Sequence, residues 1–376
     1  MKFDSFTVRK VCIPLEEPFE ISSGTVRNRN LVVLEAEEGG RKFYGEASPQ
    51  FAPLYNHETA ETAYHVVKEF VVPALRKSSS IQDYHQRISR FKGNPLAFSA
   101  GDFLLHHRKS LEQDKSLREL AGGDREYSDL GASVGIHKEP DKLVESVGEL
   151  VEKGYDRVKL KIKPGKDLEY VSKVRERFPD LELTADANAS YSLEQLERLG
   201  KLDSYDLKMI EQPLGARDLQ RHAELSGEIE TPICLDESTR SREDLVKADE
   251  LDAIDFLNLK PQRVRGIYPA QKVAEEAEKR GIDLWVGSVV ESGIGNSMAL
   301  AMTSRTSEGL KNDVAPSSRY FEQDLLEDPI EADDGKIRIP DAPGLYSRVS
   351  EDRLEKFTVR KTTVSGSEIK ETEAEI

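Results

Sequence analysis

Between about residues 128 and 315 the chain repeats one arrangement: a short apolar run, an amphipathic stretch with helical spacing, then another apolar run. Strands that alternate with helices are joined by crossovers, so they lie parallel with the helices packed outside them. The runs that read as strands are LGASVGI (130–136), DRVKLKI (157–163), LELTADA (181–187), LKMIEQ (207–212), PICLDE (232–237), IDFLNLK (254–260), IDLWVGS (282–288) and a weaker NDVA (312–315). Stretches such as EPDKLVESVGELVEKG, LEYVSKVRERF and IYPAQKVAEEAEKRG fill the seven gaps, the last ending on Gly281 as a stop signal. Eight strands joined by seven helices predict a parallel α/β barrel. A doubly wound open sheet is the alternative, but it has no need of repeated chemistry at its strand ends.

The flanking sequence is organised differently. FTVRKVCIPL, NLVVLEAEE, a Gly39-Gly40 turn and KFYGEAS predict a small antiparallel sheet, with SSGTVRNRN (22–30) as a mobile loop inside it. Residues 57–121 carry helical periodicity, and Gly122-Gly123 breaks the pattern. The expected division is an α+β capping domain over 1–122, a barrel over 123–325, and a segment 326–376 whose KIRIP and FTVRK runs return to the cap. The polar end, TVSGSEIKETEAEI, reads as frayed.

Composition narrows the class. Lys plus Arg is 54 against Asp plus Glu 70, a net charge of −16 over 376 residues. That excess repels phosphate backbones and anionic membranes, which argues against nucleic acid as a main partner. Two cysteines, Cys12 and Cys234, form neither a disulfide framework nor a metal-ligand spacing. The N-terminal segment lacks an apolar leader core, and no window approaches the roughly 18 apolar residues of a membrane span, so the expected compartment is the cytoplasm. A homo-oligomer is compatible with all of this.

Three strand ends carry the chemistry. Asp186, Glu211 and Asp236 close the third, fourth and fifth runs, with spacings of 211 − 186 = 25 and 236 − 211 = 25. One βα unit has about that length, and barrel enzymes place their sites at C-terminal strand ends. Three converging carboxylates need a cation, and hard oxygen ligands suit Mg²⁺. Each alone also reads as a solvated acid or helix cap; three in register favour the metal. In the run Val158-Lys159-Leu160-Lys161-Ile162, alternation turns Leu160 and Ile162 toward the helices and the two lysines inward. Lys260 follows 260 − 236 = 24 residues after Asp236, so barrel order puts Lys161 and Lys260 on opposite sides of the carboxylates. Such a pair can remove a proton from one face of a substrate and oppose the anion from the other. Burial and a nearby cation are expected to depress a lysine toward the pKa a general base needs.

The runs KLKI, DAN, IEQP, LDES and LNLKP, in this order and spacing, resemble the enolase superfamily in its muconate-lactonizing-enzyme-like branch, over nearly the whole chain. The resemblance implies a (β/α)7β modified TIM barrel with an α+β capping domain. It also implies Mg²⁺-assisted abstraction of a proton α to a carboxylate, and hence a small-molecule carboxylate substrate. By motif, Asp186, Glu211 and Asp236 match the metal ligands, Lys161 the general base and Lys260 the opposing lysine. Lys159 matches the first lysine of its run, Asn188 a polar neighbour of the ligands and Glu237 an acid behind them. Within the superfamily, VGSVVESGIGNSMALA (286–301), with Glu291 in it, and DVAPSSRYFEQDL (313–325) are most similar to the o-succinylbenzoate synthases of menaquinone biosynthesis, some of which also racemise N-acylamino acids. Dipeptide epimerases resemble the capping half about as well, but their Asp-x-Asp signature is replaced here by Asp313-Val314-Ala315. Ser288 stands where similar enzymes commonly have Gly. The 22–25 loop, with Ser22 and Gly24, and the segment 49–55 are the cap's expected contributions to specificity, while Ser317 reads either as a substrate contact or as a brace.

Other signals are weaker. Gly131-Ala-Ser133-Val-Gly135 fits a hydrolase pattern, with His137 or His222 as the available bases, but Ser133 falls inside a strand rather than on a turn into a helix. The histidines lack metal spacing, and Gly293-Ile-Gly295 reads as a tight turn that admits a carboxylate. A binding protein on a retained barrel is a third class; five kept charges argue against it.

Overall fold

The computed structural model describes residues 2–21, 24–50, 52–366 and 368–373. Three antiparallel strands open the chain: β1 (Ser5–Ile21), β2 (Gly24–Glu38) and β3 (Arg41–Ala47). Helices follow: α1 (Ala60–Val66), a π-helical turn over Val67–Val71, α2 (Val72–Lys77), α3 (Ile81–Ile88), α4 (Pro95–Gln113) and α5 (Leu117–Ala121). After β4 (Tyr127–Asp129), strands and helices alternate as β5 (Ala132–Val134), α6 (Pro140–Glu152), β6 (Arg157–Lys161), α7 (Leu168–Arg177), β7 (Glu182–Asp186), α8 (Leu196–Gly200), β8 (Ile210–Glu211), α9 (Leu219–Ser226), β9 (Ile233–Leu235), α10 (Arg242–Glu250), β10 (Phe256–Leu259), α11 (Ile267–Arg280), β11 (Asp283–Val286) and α12 (Gly293–Thr303). The end supplies β12 (Lys336–Arg338), α13 (Glu351–Phe357), β13 (Thr358–Ser365) and β14 (Glu368–Glu373).

Strands β5 to β11 form one parallel sheet in sequence order. The eighth expected strand shrinks to two parallel bridges, Leu130 with Asn312 and Gly287 with Asp313. Those bridges join the two edges of the sheet, so NDVA closes the barrel with little regular strand of its own. The fold is the modified barrel with an antiparallel cap.

The cap sheet runs β14-β13-β1-β2-β3. Alternation along β2 divides its side chains: Val32 and Leu34 pack with the helices of the first 121 residues, while Leu31 and Val33 join the core that contains the barrel strands. Over 31–34, β2 is buried on both faces and so joins the two cores.

Two expectations fail here. The polar stretch 24–30 is strand rather than mobile loop: β2 pairs with β1 from Ile21–Gly24 and Phe19–Val26 and again from Pro14–Asn28 upward, interrupted by a register shift. Backbone pairing outweighs side-chain polarity on a strand that already has a partner. The end expected to fray pairs instead as β14 along β13, from Ser365–Glu368 to Arg360–Glu373. Its exposed, polar side chains gave no sign of that, because an edge strand needs no apolar face. Ser22 and Ser23 lie outside the described residues, and Gly24 is the first residue of β2.

Candidate active site

Register aligns the charges. Lys161 on β6 lies opposite Asp186 on β7, Asp186 opposite Glu211 on β8, and Glu211 opposite Cys234 on β9. Asp236 is two residues past Cys234 and therefore on the same, inward side. The barrel floor is apolar, built from Met209, Cys234, Trp285 and Leu310 with Phe256 against them. Above it the Lys159 ammonium sits 4.7 Å from the centre of the Trp285 ring.

Each carboxylate is met by a cation. Lys161 Nζ donates to Asp186 Oδ2 at 2.6 Å and to Asn188 Oδ1 at 2.7 Å. Lys159 Nζ lies 2.7 Å from Glu211 Oε2 and 2.5 Å from Asp313 Oδ2. Lys260 Nζ donates to Asp236 Oδ2 at 2.7 Å, and Arg263 and Tyr55 donate to Asp236 Oδ1. Asp186, Glu211 and Asp236 are all buried. Among the described residues, no three His, Cys, Asp or Glu side chains already converge as a metal-binding group.

The electrostatics nonetheless suit a hard cation. Burial, then the charge of Asp186, pushes the Glu211 carboxyl up, with Asp236 adding to it against Lys159. Burial and the charges of Asp236 and Asp186 push Glu237 to about 8, and its buried Oε2 has no hydrogen-bond partner. Glu211 and Glu237, raised by burial and by their neighbours, stand with Asp186 and Asp236, which burial pushes up but lysines hold below the ordinary range, and with an unpartnered oxygen; such an oxygen donor set fits Mg²⁺. The expected depression of a lysine does not appear at Lys260. Burial pulls its pKa down, but Asp236 beside it more than offsets that and holds it above the ordinary value.

Sequence reasoning overlooked several residues that complete this layer. Asn258, two residues before Lys260 on the same face of β10, donates to Glu211 Oε1 at 2.7 Å. Arg263, three residues past Lys260 in the turn before α11, also donates to the Thr239 carbonyl at 2.8 Å. Asp313 holds the barrel closure: Arg157 Nη1 donates to it at 2.8 Å and Ser133 Oγ at 3.1 Å. The strand alternation NLK was the available signal for Asn258; nothing local marks Arg263 or Asp313 as partners. From the 49–55 segment, Tyr55 reaches the site, with Lys260 Nζ 4.8 Å from its ring centre.

The remaining candidates separate. Ser133 lies within β5, so it is not on a hydrolase elbow, and His222 donates or accepts within its own surroundings at Asp218 O and the Leu214 amide. Ser317 Oγ donates to Asp324 Oδ2 at 2.5 Å and accepts from the Ile330 amide at 3.2 Å, which is a brace. Glu291 is buried, accepts from the Val289 amide at 2.8 Å and lies 3.5 Å from Gln262 Nε2. Ser288 is half-buried beside Gly287. The carboxylates admitted by the Gly293-Ile-Gly295 turn are the chain's own: Glu46 accepts from the Ser292 and Gly295 amides, and Asp324 from the Gly293 amide.

A closed parallel barrel with acids and lysines facing inward at its C-terminal strand ends defines a barrel enzyme. Residues 142–353 match the family described as Enolase C-terminal domain-like, and the chain belongs to the enolase superfamily. It is 35% identical to an o-succinylbenzoate synthase from Geobacillus kaustophilus, over 93% of this chain and 94% of that one. It is equally 35% identical to an N-succinylamino acid racemase from Thermus thermophilus, over 98% of this chain and 100% of that one. A solved enolase-superfamily member from Listeria innocua superposes with a TM-score of 0.92 at 32% identity, covering 97% of this chain and 99% of its own. Enzymes of this superfamily generally use Mg²⁺. Among the described residues no helix is long and apolar enough to cross a membrane.

Proposed function

We propose that the chain is an o-succinylbenzoate synthase, converting 2-succinyl-6-hydroxy-2,4-cyclohexadiene-1-carboxylate to o-succinylbenzoate and water in menaquinone biosynthesis. What carries the reading is the placement of Lys161 and Lys260 on β6 and just past β10, either side of a carboxylate row, in a chain that matches synthases over nearly its full length. Asp186, Glu211 and Asp236 would hold Mg²⁺, with Glu237 behind them. The ion supplies positive charge against the second negative charge that develops on the substrate carboxylate when the α-proton leaves.

Lys161, in its neutral form, takes that proton, and Asn188 orients its Nζ. The C–H electron pair becomes a ring double bond as the bond to the neighbouring hydroxyl breaks, and the hydroxide leaves as water with the proton returned by the Lys161 ammonium, which restores the base and gives the aromatic product. Lys260, charged and held by Asp236, faces the opposite side of the ring and stabilises the anion across its π face. The synthase reading predicts a fast ultraviolet change when the purified protein meets the cyclohexadiene carboxylate with Mg²⁺, and none with excess chelator. No change under either condition would remove it.

One observation favours a second activity on the same residues. Two opposed lysines can each exchange a proton with one face of an α-carbon, and relatives named as racemases match as well as those named as synthases. N-succinylamino acids of both hands should then exchange their α-proton in D₂O.

A further inference from the structure

The turn after β11 is strained and the cap holds it. Val290 has φ +63°, a left-handed conformation that a β-branched residue adopts only when its surroundings impose it. The imposing group is Arg29 on β2, fully buried and, among the described residues, hydrogen-bonded to no carboxylate, although the charges of Glu291 and Glu46 act on it. Its Nε donates to the Val290 carbonyl at 2.9 Å, and its Nη2 donates to Val289 O at 2.9 Å and Ser48 O at 3.0 Å. Nη1 lies 3.3 Å from Gln50 Oε1. Burying a guanidinium whose hydrogen bonds go to carbonyls is costly unless the contacts it makes are needed. The other end of the turn is Gly287, where a Cβ would stand 2.4 Å from Asn258 Oδ1 and 2.9 Å from Lys260 Cε. The turn therefore touches the reactive lysine at one end and the cap at the other.

We infer that Arg29 is a positioning residue: it holds the 287–291 turn in its left-handed form, and so holds Gly287 against the side chains of Lys260 and Asn258. The inference rests on Lys260 belonging to the reacting site, as proposed above. Seating of the cap becomes a condition for the geometry on the Lys260 side.

Amide hydrogen exchange of the full chain, read by mass spectrometry, tests this without any substrate. In Arg29→Met the peptide covering 287–292 should exchange at least tenfold faster, with β6 to β9 unchanged. Turnover should fall roughly 10–100-fold in kcat with little change in KM. Adding Val290→Gly supplies the left-handed conformation without a strut, so the double variant should regain much of both the protection and the kcat lost in Arg29→Met. A purely structural role for Arg29 predicts no such rescue. If Arg29→Met does not fold, Arg29→Lys, which keeps the charge but fewer of the donors, should show the same local change at smaller size, and Val290→Gly should reverse it. Unchanged protection of 287–292, or a double variant no better than the single, would overturn the inference. A wild type inactive on the cyclohexadiene carboxylate and on N-succinylamino acids defeats the proposed function alone, because the exchange measurement still decides the role of Arg29.

Discussion

Buried charge is handled in two ways in this molecule. At the barrel mouth each acid faces a side-chain cation: Lys161 with Asp186, Lys159 with Glu211, Lys260 with Asp236. At the seam between cap and barrel, buried acids are met by helix N-termini together with side chains. Glu46 accepts from the Ser292 and Gly295 amides at the start of α12. Asp102, on α4, accepts from the Ile267 amide at 2.6 Å at the start of α11, alongside His85 and His106. Gly266 makes that approach possible, since its φ is +122° and a Cβ there would lie 2.3 Å from the Asp102 carboxyl. Side-chain partners can exchange one another for a metal or a substrate; helix N-termini cannot move away. The difference separates charges that react from charges that fasten.

The largest effects should come from breaking the first set. Lys161→Ala and Lys260→Ala should each lower kcat by about 1,000-fold or more in the ultraviolet assay, the range of a lost acid–base group, while circular dichroism stays that of the wild type. Substantial residual turnover in either would remove the two-lysine mechanism. Asp186→Asn, Glu211→Gln and Asp236→Asn should weaken Mg²⁺ by more than the roughly 10–100-fold that loss of an outer partner costs, read by calorimetric titration. A variant with an unchanged titration drops out of the ligand set. That these side chains come together at one end of the barrel was legible in sequence because type and spacing repeat: one acid per βα unit, and lysines alternating with Leu160 and Ile162. The barrel was legible for the same reason, as a period. What stayed hidden was whatever depends on partners distant in sequence. Nothing near Arg29 says that its guanidinium will meet Val289 and Val290, and nothing in EIKETE says that it will pair with β13. NDVA looked like a strand and serves as a clasp, because closure needs only two bridges.

Breaking the second set should unseat the cap rather than stop the chemistry directly. Asp102→Asn removes the charge and one of the two acceptor oxygens that a helix start and two histidines share in a dry environment, and about 2–4 kcal/mol of stability should be lost in urea titration. A loss below about 0.5 kcal/mol would mean that the seam is held by its apolar core alone.

The smallest prediction separates the two fastening acids by sign. Burial first, with a smaller push from Glu291, raises Glu46 to about 7, although Ser292 and Ser48 donate to it. Asp102 moves the other way: burial raises it, but His106 and His85 more than offset that and hold it below the ordinary range. A raised carboxyl means that the native state holds its proton at a pH where the unfolded chain has lost it. Glu46 therefore contributes stability that is full below its unfolded value of 4.5 and is lost as pH rises through about 7. Asp102 contributes stability above its unfolded value of 3.8 that is lost as pH falls. In Glu46→Gln the first of these dependences disappears, while that of every other group, including Glu58, stays common to both proteins. The stability of Glu46→Gln relative to wild type should then rise by about 1–3 kcal/mol between pH 5 and pH 8, the size expected for a shift of this kind at roughly 1.4 kcal/mol per pH unit. A difference that does not vary with pH would show that Glu46 stays ionised at the seam, fastened by the α12 N-terminus strongly enough to cancel its burial.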